Sequence, residues 1–143
     1  MSANEKRKHP HFDDRGTLDW HTTFAEAKAS AQREGKLLFI DVGRELCGTC
    51  RTLVSAVLPR PDIAPLLQQH FVALAGDPDL PEAEVHRLLF KLRTATMLPF
   101  VILADAQGNF LDGISGVSDP QRIKDLLERA LAARAAPAPP RAT

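Results

Sequence analysis

Two kinds of hydrophobic pattern alternate along the chain: short runs of consecutive apolar residues, and stretches in which apolar residues recur every three or four positions. The short runs predict buried strands over 37–42, 71–75 and 100–104. A further run over 110–114 follows the Asp-Ala-Gln-Gly-Asn turn after the third strand and predicts its hairpin partner. The sequence therefore predicts one sheet that ends in an antiparallel pair.

Stretches with helical spacing separate the predicted strands. Thr23 and Glu26 fit a capping box at the start of the first helix, and Gly35 supplies its end. The other predicted helices lie after Cys50, over 62–69, over 85–92, and after a second capping box formed by Ser118 and Gln121. Because strands alternate with helices, we expect an α/β fold with a mixed sheet flanked by helices on both faces.

Both ends of the chain lack this periodicity. Residues 1–15 are polar and contain His9 and His11, which predicts a flexible N-terminal arm; a metal-binding arm is the disfavoured alternative. The Ala/Pro-rich tail over 135–143 cannot form a packed core and is predicted to be disordered. A chain of 143 residues is long enough for one domain with its own core, which we place at 16–134.

Charge and composition narrow the classes of function. The 18 Lys and Arg residues balance the 18 Asp and Glu residues, so no net charge attracts nucleic acid or an anionic membrane. No run approaches the roughly 20 apolar residues of a membrane span, and the basic cluster at 6–8 lacks the apolar run of a signal peptide. The expected location is the cytoplasm, with the periplasm left open if a leader has been removed from this chain.

Cys47 and Cys50 are the only cysteines in the chain, and they come at the start of a predicted helix. Two cysteines are too few for a disulfide framework, and a close pair indicates redox chemistry or half of a metal site. The positive end of the helix dipole stabilises a thiolate at Cys47, which makes it the attacking group. Cys50, about one helical turn further on, is placed to resolve a mixed disulfide. A structural disulfide and half of a zinc site are the alternatives.

Asp41 is the one charged residue in the strand predicted over 37–42. A carboxyl group among apolar neighbours on a central strand is unusual, which makes Asp41 a candidate functional residue. The alternative is that Asp41 only ends the strand by hydrogen-bonding to the turn at Gly43.

Several motifs occur in a characteristic order: Trp20, Gly35-Lys36, Asp41, Cys47-Gly48-Thr49-Cys50, Leu98-Pro99 and Gly116. With these motifs, the stretch from about 16 to 134 resembles the thioredoxin-like proteins. Within them it is similar to the thioredoxin-related group, whose domain opens with a Trp and an Ala-rich helix. The resemblance implies a thioredoxin-like fold with a mixed sheet of four to five strands and helices on both faces.

The resemblance also implies roles for particular residues. Asp41 would be the general base that acts on Cys50. Pro99 would be a cis-proline facing the cysteine pair, and the implied substrate-binding residues are Leu98, Pro99, Leu46 and Gly116. The implied activity is exchange with protein disulfides, by a monomer that needs no cofactor or metal and that an upstream thiol reductant or oxidant resets.

The sequence departs from the family pattern in three places. Leu46 stands where the family usually has Trp, Thr49 stands where thioredoxin itself has Pro, and the lysine that commonly neighbours the buried Asp has no match over 71–76. These changes remove no reactive group. The alternative function is a thioredoxin-like binding or chaperone module whose cysteines hold a structural or slow disulfide, and a metal-handling role comes third.

Overall fold

The computed structural model describes residues 6–92 and 97–135. Its strands are β1 (Trp20–His21), β2 (Leu37–Val42), β3 (Phe71–Gly76), β4 (Phe100–Ala104) and β5 (Phe110–Ser115). Its helices are α1 (Phe24–Glu34), α2 (Gly48–Thr52), α3 (Ala64–His70), α4 (Ala83–Lys91) and α5 (Pro120–Ala135), and a π turn (Leu53–Val57) extends α2. The predicted strands and helices are present, and β1 is an additional strand that is too short to show a periodic pattern.

The strands form one mixed sheet in the order β1-β3-β2-β4-β5. Strand β3 is parallel to β1 and β2, whereas β4 is antiparallel to its neighbours β2 and β5. In this register, Asp41 of β2 lies between Ala75 of β3 and Val101 of β4. Asp41 is therefore on the central strand, with a paired strand on each side.

Alternation along β2 sends its side chains to opposite faces of the sheet. Leu38 and Ile40 pack with apolar residues of α1 and α4. Leu37 and Phe39 pack on the other face with residues of α2, the π turn, α3 and α5. Asp41 follows the same alternation as Leu37 and Phe39, so its side chain lies on the face that carries the cysteines. The predicted mixed sheet with helices on both faces is confirmed.

Helix α1 begins and ends as predicted. The backbone N–H of Glu26 donates to Thr23 Oγ1 at 3.4 Å, and Gly35 ends the helix with a φ of 67°. The N–H of Phe24 donates to Glu82 Oε1 at 2.8 Å, just before α4. This bond ties the starts of the two helices together on one face of the sheet.

Helix α5 begins differently from the prediction. It starts at Pro120, and the carboxylate of Asp119 accepts a hydrogen bond from the N–H of Arg122 at 3.0 Å. The predicted capping box at Ser118 and Gln121 is wrong. Asp119 is an equally good capping residue, and Pro is favoured at the first helical position because its missing N–H is not needed there.

The N-terminal segment packs against the domain, in contrast to the predicted flexible arm. His9 and Phe12 are buried, and Phe12 belongs to the same apolar cluster as Trp20. The N–H of Trp20 donates to the carbonyl of Arg7 at 3.0 Å, which holds the segment beside β1. The arm prediction is wrong for this described segment because isolated buried residues create no periodic pattern.

The predicted disordered tail over 135–143 lies outside the described residues, except for Ala135 at the end of α5. None of the helices that the structure describes is long and apolar enough to cross a membrane.

Candidate redox site

Cys47 and Cys50 form a disulfide at the start of α2. Their Cα atoms are 5.2 Å apart, an ordinary separation for a disulfide. Cys47 is the N-cap residue of α2, and its Sγ accepts a hydrogen bond from the backbone N–H of Cys50 at 3.1 Å. In the reduced state the same N–H would stabilise a thiolate at Cys47.

The two sulfur atoms differ in accessibility. Cys47 is half-buried, whereas Cys50 is fully buried in the apolar cluster. In the π turn that follows, the N–H of Leu58 donates to the carbonyl of Leu53 at 2.9 Å, and both side chains join that cluster. Because Cys47 is the more exposed of the two cysteines, a molecule that approaches from solvent meets its sulfur first.

A metal site was one alternative for the cysteine pair. In the structure the two sulfur atoms are bonded to each other. Within residues 6–92 and 97–135, no group of three or more His, Cys, Asp or Glu side chains is arranged to hold a metal ion. The geometry of the pair fits a redox site.

Asp41 lies on the core side of the disulfide. It is 1% exposed, and its Oδ1 has no hydrogen-bond partner among the described residues. Asp41 Oδ1 and the sulfur of Cys50 both lie close to Gly43. A Cβ added at Gly43 would lie 4.0 Å from Asp41 Oδ1 and 2.9 Å from Cys50 Sγ. The structure therefore brings Asp41 and Cys50 together around one glycine.

His9 is the hydrogen-bond partner of Asp41 and was not predicted from the sequence. His9 Nε2 lies 2.9 Å from Asp41 Oδ2, so this carboxyl group bonds to the N-terminal segment and not to the turn at Gly43. The sequence carried one indication of such a partner. The lysine that commonly neighbours the buried Asp is missing over 71–76, and a buried carboxyl group without that lysine needs another donor. Since 32 positions separate His9 from Asp41, no local pattern identifies the donor.

The surroundings of His9 determine which ring nitrogen carries the proton. Its Nδ1 accepts hydrogen bonds from the backbone N–H groups of His11 at 3.1 Å and Phe12 at 3.2 Å. Nδ1 is therefore unprotonated, and the proton on Nε2 is donated to Asp41. The ring also stacks on Phe12 at 5.5 Å and meets Trp20 edge-on at 4.6 Å, which holds its orientation.

The Leu98–Pro99 peptide bond is cis, as the resemblance implied. The N–H of Gly116 donates to the carbonyl of Pro99 at 2.9 Å, and Ser115 Oγ donates to the carbonyl of Met97 at 2.7 Å. These bonds tie the residues before β4 to the end of β5. Leu98 packs against the same apolar cluster as the cysteines, so this loop is on their face of the sheet.

Two large apolar side chains project into solvent next to these elements. Leu46 immediately precedes Cys47 and is 97% exposed, and Met97 immediately precedes Leu98 and is 67% exposed. Leu46 is one of the substrate-binding residues that the resemblance implied, whereas Met97 was not identified because its exposure depends on how the loop turns. Exposed apolar residues beside a reactive group are candidates for contact with a partner.

An exposed ion pair lies before the first cysteine. Arg44 Nη2 is 2.7 Å from Asp79 Oδ1. The hydrogen bond to Asp79 raises the pKa of Arg44, and the hydrogen bond from Arg44 lowers the pKa of Asp79. The guanidinium group of Arg44, three residues before Cys47, is therefore paired with the carboxylate of Asp79.

These features define a class of protein: a thioredoxin-like domain that carries a Cys-x-x-Cys disulfide at the start of a helix. A family model described as thioredoxin-like matches residues 19–106, which is more than half of the chain. The chain belongs to the thioredoxin-like family. No curated protein sequence matches it.

Solved structures with this fold include thioredoxins and disulfide isomerases. A thioredoxin from Thermus thermophilus has 21% identity and a TM-score of 0.66, with 83% of this chain and 91% of that chain covered. A putative disulphide-isomerase from Bacteroides thetaiotaomicron has 26% identity and a TM-score of 0.62, with coverages of 85% and 94%. A disulphide isomerase from Xylella fastidiosa Temecula1 has 17% identity and a TM-score of 0.53, with coverages of 78% and 88%. The cysteine pair within this shared fold supports thiol–disulfide exchange as the general chemistry of the site.

Proposed function

We propose that the protein is a thiol–disulfide oxidoreductase that acts on protein disulfides through Cys47 and Cys50. The observation that carries the proposal is the asymmetry of the pair: an accessible N-cap sulfur is bonded to a fully buried one. The name of the Bacteroides thetaiotaomicron relative, a putative disulphide-isomerase, supports the same substrate class. Such a protein acts as a monomer, needs no cofactor, and is reset by an upstream thiol reductant or oxidant.

The reaction begins with the reduced pair. The Cys47 thiolate attacks one sulfur of a substrate disulfide, forms a mixed disulfide, and displaces the other substrate sulfur as a thiolate. Cys50 then transfers its proton to Asp41, and its thiolate attacks Cys47 Sγ. This step forms the Cys47–Cys50 disulfide and releases the second substrate thiolate, so the substrate gains two electrons and the protein dithiol loses two.

The substrate strand lies along the loop that contains Leu98 and Pro99. Its position beside the cysteines is supported by the packing of Leu98 against the apolar cluster that contains Cys50. Leu46, immediately before Cys47, contributes an exposed apolar contact.

Reduction of insulin in the presence of dithiothreitol tests the proposal. The wild-type protein should accelerate precipitation of the insulin B chain, and Cys47→Ser should abolish the acceleration. Cys50→Ser keeps the attacking sulfur, so the reduced variant, freed of dithiothreitol before insulin is added, should accumulate a mixed disulfide on Cys47 that mass spectrometry detects. Acceleration that persists in Cys47→Ser would rule out this assignment.

The binding or chaperone module is the second candidate, and the exposure of Leu46 and Met97 is the observation that favours it. Suppression of aggregation of an unfolded protein distinguishes the two functions. A module should retain this activity when both Cys47 and Cys50 are replaced by Ser. An oxidoreductase should lose its effect on disulfide-containing substrates in that variant.

A further inference from the structure

We propose that His9 is a positioning residue for the second step of this reaction. Its imidazole bonds Oδ2 of the Asp41 carboxyl group and leaves Oδ1, which has no hydrogen-bond partner among the described residues, available to Cys50. The inference rests on the proposed function and adds a residue from the N-terminal segment to the redox site.

The first support is that His9 and Asp41 are isolated from solvent. The side chains of His9 and Asp41 are 3% and 2% exposed, and Nε2 and Oδ2 are 2.9 Å apart. A buried carboxyl group is costly unless hydrogen bonds replace its hydration. In the described part of the chain, His9 is the one side chain that hydrogen-bonds to Asp41.

The second support is the fixed tautomer of His9. Because its Nδ1 accepts two backbone hydrogen bonds, the N–H of the ring is at Nε2, beside Asp41. His9 therefore acts as a hydrogen-bond donor to Asp41 with a fixed direction. Packing against Phe12 and Trp20 keeps that donor in place.

The third support is the unbonded oxygen. Oδ2 is occupied by His9, whereas Oδ1 is buried without a hydrogen-bond partner in the described structure. Oδ1 and Cys50 Sγ both lie within 4.0 Å of the position where Gly43 would carry a Cβ. When Cys50 loses its proton, Oδ1 is the atom placed to receive it, and the hydrogen bond from His9 to Oδ2 fixes the orientation of the carboxyl group.

The reaction with 5,5′-dithiobis-(2-nitrobenzoate) separates the two steps. Attack by Cys47 releases one thionitrobenzoate in a phase whose rate depends on reagent concentration. Attack by Cys50 on the resulting mixed disulfide releases a second one in a phase that is independent of concentration. Stopped-flow absorbance at high reagent concentration resolves the second phase, which reports proton loss from Cys50.

His9→Phe keeps an aromatic ring and removes the hydrogen bond to Asp41. It should slow the second phase about tenfold, the approximate worth of one hydrogen bond to a charged group, and leave the first phase at the wild-type rate. His9→Gln provides an amide donor at a similar reach and should restore part of the rate. His11→Phe is the matched control, because His11 is exposed, its side chain does not hydrogen-bond to Asp41 in the described structure, and Phe keeps an aromatic ring edge-on to His9.

A double variant tests whether His9 acts through Asp41. In an Asp41→Asn background, His9→Phe should cause no further slowing of the second phase, because the acceptor of its hydrogen bond has changed. Further tenfold slowing in that background would overturn the inference, as would a wild-type second phase in His9→Phe. Equal slowing of both phases by His9→Phe and His9→Gln would show a purely structural role and would also overturn it.

Failure of the proposed function has a different signature in the same experiment. If the wild-type protein releases no second thionitrobenzoate, Cys50 does not resolve mixed disulfides, and the proposed function itself fails. If the wild-type protein shows both phases and His9→Phe matches it, only the role of His9 fails.

Discussion

The indole N–H of Trp20 donates a hydrogen bond to Asp14 Oδ2 at 2.8 Å inside the core. The same carboxylate accepts hydrogen bonds from the backbone N–H groups of Leu18 at 2.9 Å and Gly16 at 3.1 Å. One buried acidic side chain therefore joins the turn before β1 to the Trp that begins the strand. Trp20 is also bonded to the N-terminal segment that carries His9, because its backbone N–H donates to the carbonyl of Arg7.

Replacing Asp14 should destabilise the protein. Asp14→Ala leaves the indole and backbone donors unpaired in the core, so we expect the free energy of unfolding to fall by about 2 kcal/mol or more. Urea denaturation followed by tryptophan fluorescence measures the change. Asp13→Ala is the control, because Asp13 is exposed and accepts one backbone hydrogen bond; a loss as large as that of Asp14→Ala would contradict the account.

Gly43 should tolerate no side chain. A Cβ there would lie 2.9 Å from Cys50 Sγ and 3.1 Å from Cys50 Cβ, so Gly43→Ala has to push the buried sulfur aside. We expect a loss of about 1–3 kcal/mol of unfolding free energy, the usual cost of overpacking. Gly48→Ala is the matched control, since nothing lies within 4 Å of a Cβ at that position. Equal stability of the two variants would show that the site can relax around the methyl group.

The exposed residues Leu46 and Met97 should affect binding of protein substrates and not the chemistry. Leu46→Ser and Met97→Ser each remove an apolar contact, so we expect KM for a protein disulfide to rise about fivefold, equivalent to about 1 kcal/mol. The rate with a small disulfide reagent should stay unchanged. Phe90→Ser serves as the control, because Phe90 is exposed on α4, a helix on the opposite face of the sheet from the cysteines. An unchanged KM in both variants would remove these residues from the docking surface.

His21 should make stability fall on acidification. Burial, together with the positive charge of Arg7, lowers the pKa of His21 below its ordinary value, which is about 6.5. The unfolded chain therefore binds this proton at a higher pH than the folded chain does, so stability decreases as pH falls through about 6.5 and continues to fall until the folded pKa is reached.

Comparison of His21→Gln with the wild type isolates this contribution. Between pH 8 and pH 5, the wild type should lose more unfolding free energy than His21→Gln, as measured by urea denaturation at each pH. Identical losses in the two proteins would show that His21 does not contribute to the pH dependence.

The local part of the site was predictable from the sequence. The order of apolar runs predicted β2 and the helix after it, and the spacing of Cys47 and Cys50 placed both sulfurs on the first turn of that helix. These predictions succeeded because strand alternation and helix starts depend on neighbouring residues. The predicted cap of α5 was wrong even though it also depends on neighbouring residues. Asp119 and Ser118 can both cap a helix, and only one of them can do so here.

The partners of buried polar groups were not predictable in this way. His9 and Phe12 belong to a polar segment with no periodicity. His9 is buried against Asp41, and Phe12 is buried in the apolar cluster that contains Trp20. Met97 is exposed through the path of one loop, and β1 forms because β3 offers an edge with which to pair. These features depend on residues that are distant in the chain.

The sequence by itself determined the thioredoxin-like sheet, the cysteine pair at a helix start and the carboxyl group on the central strand, because local periodicity and motif order specify all three. The tertiary structure decided which oxygen of Asp41 is bonded, and by which residue. That decision depends on His9, 32 positions away, because a buried carboxyl group takes whichever donor the completed fold brings within hydrogen-bonding distance.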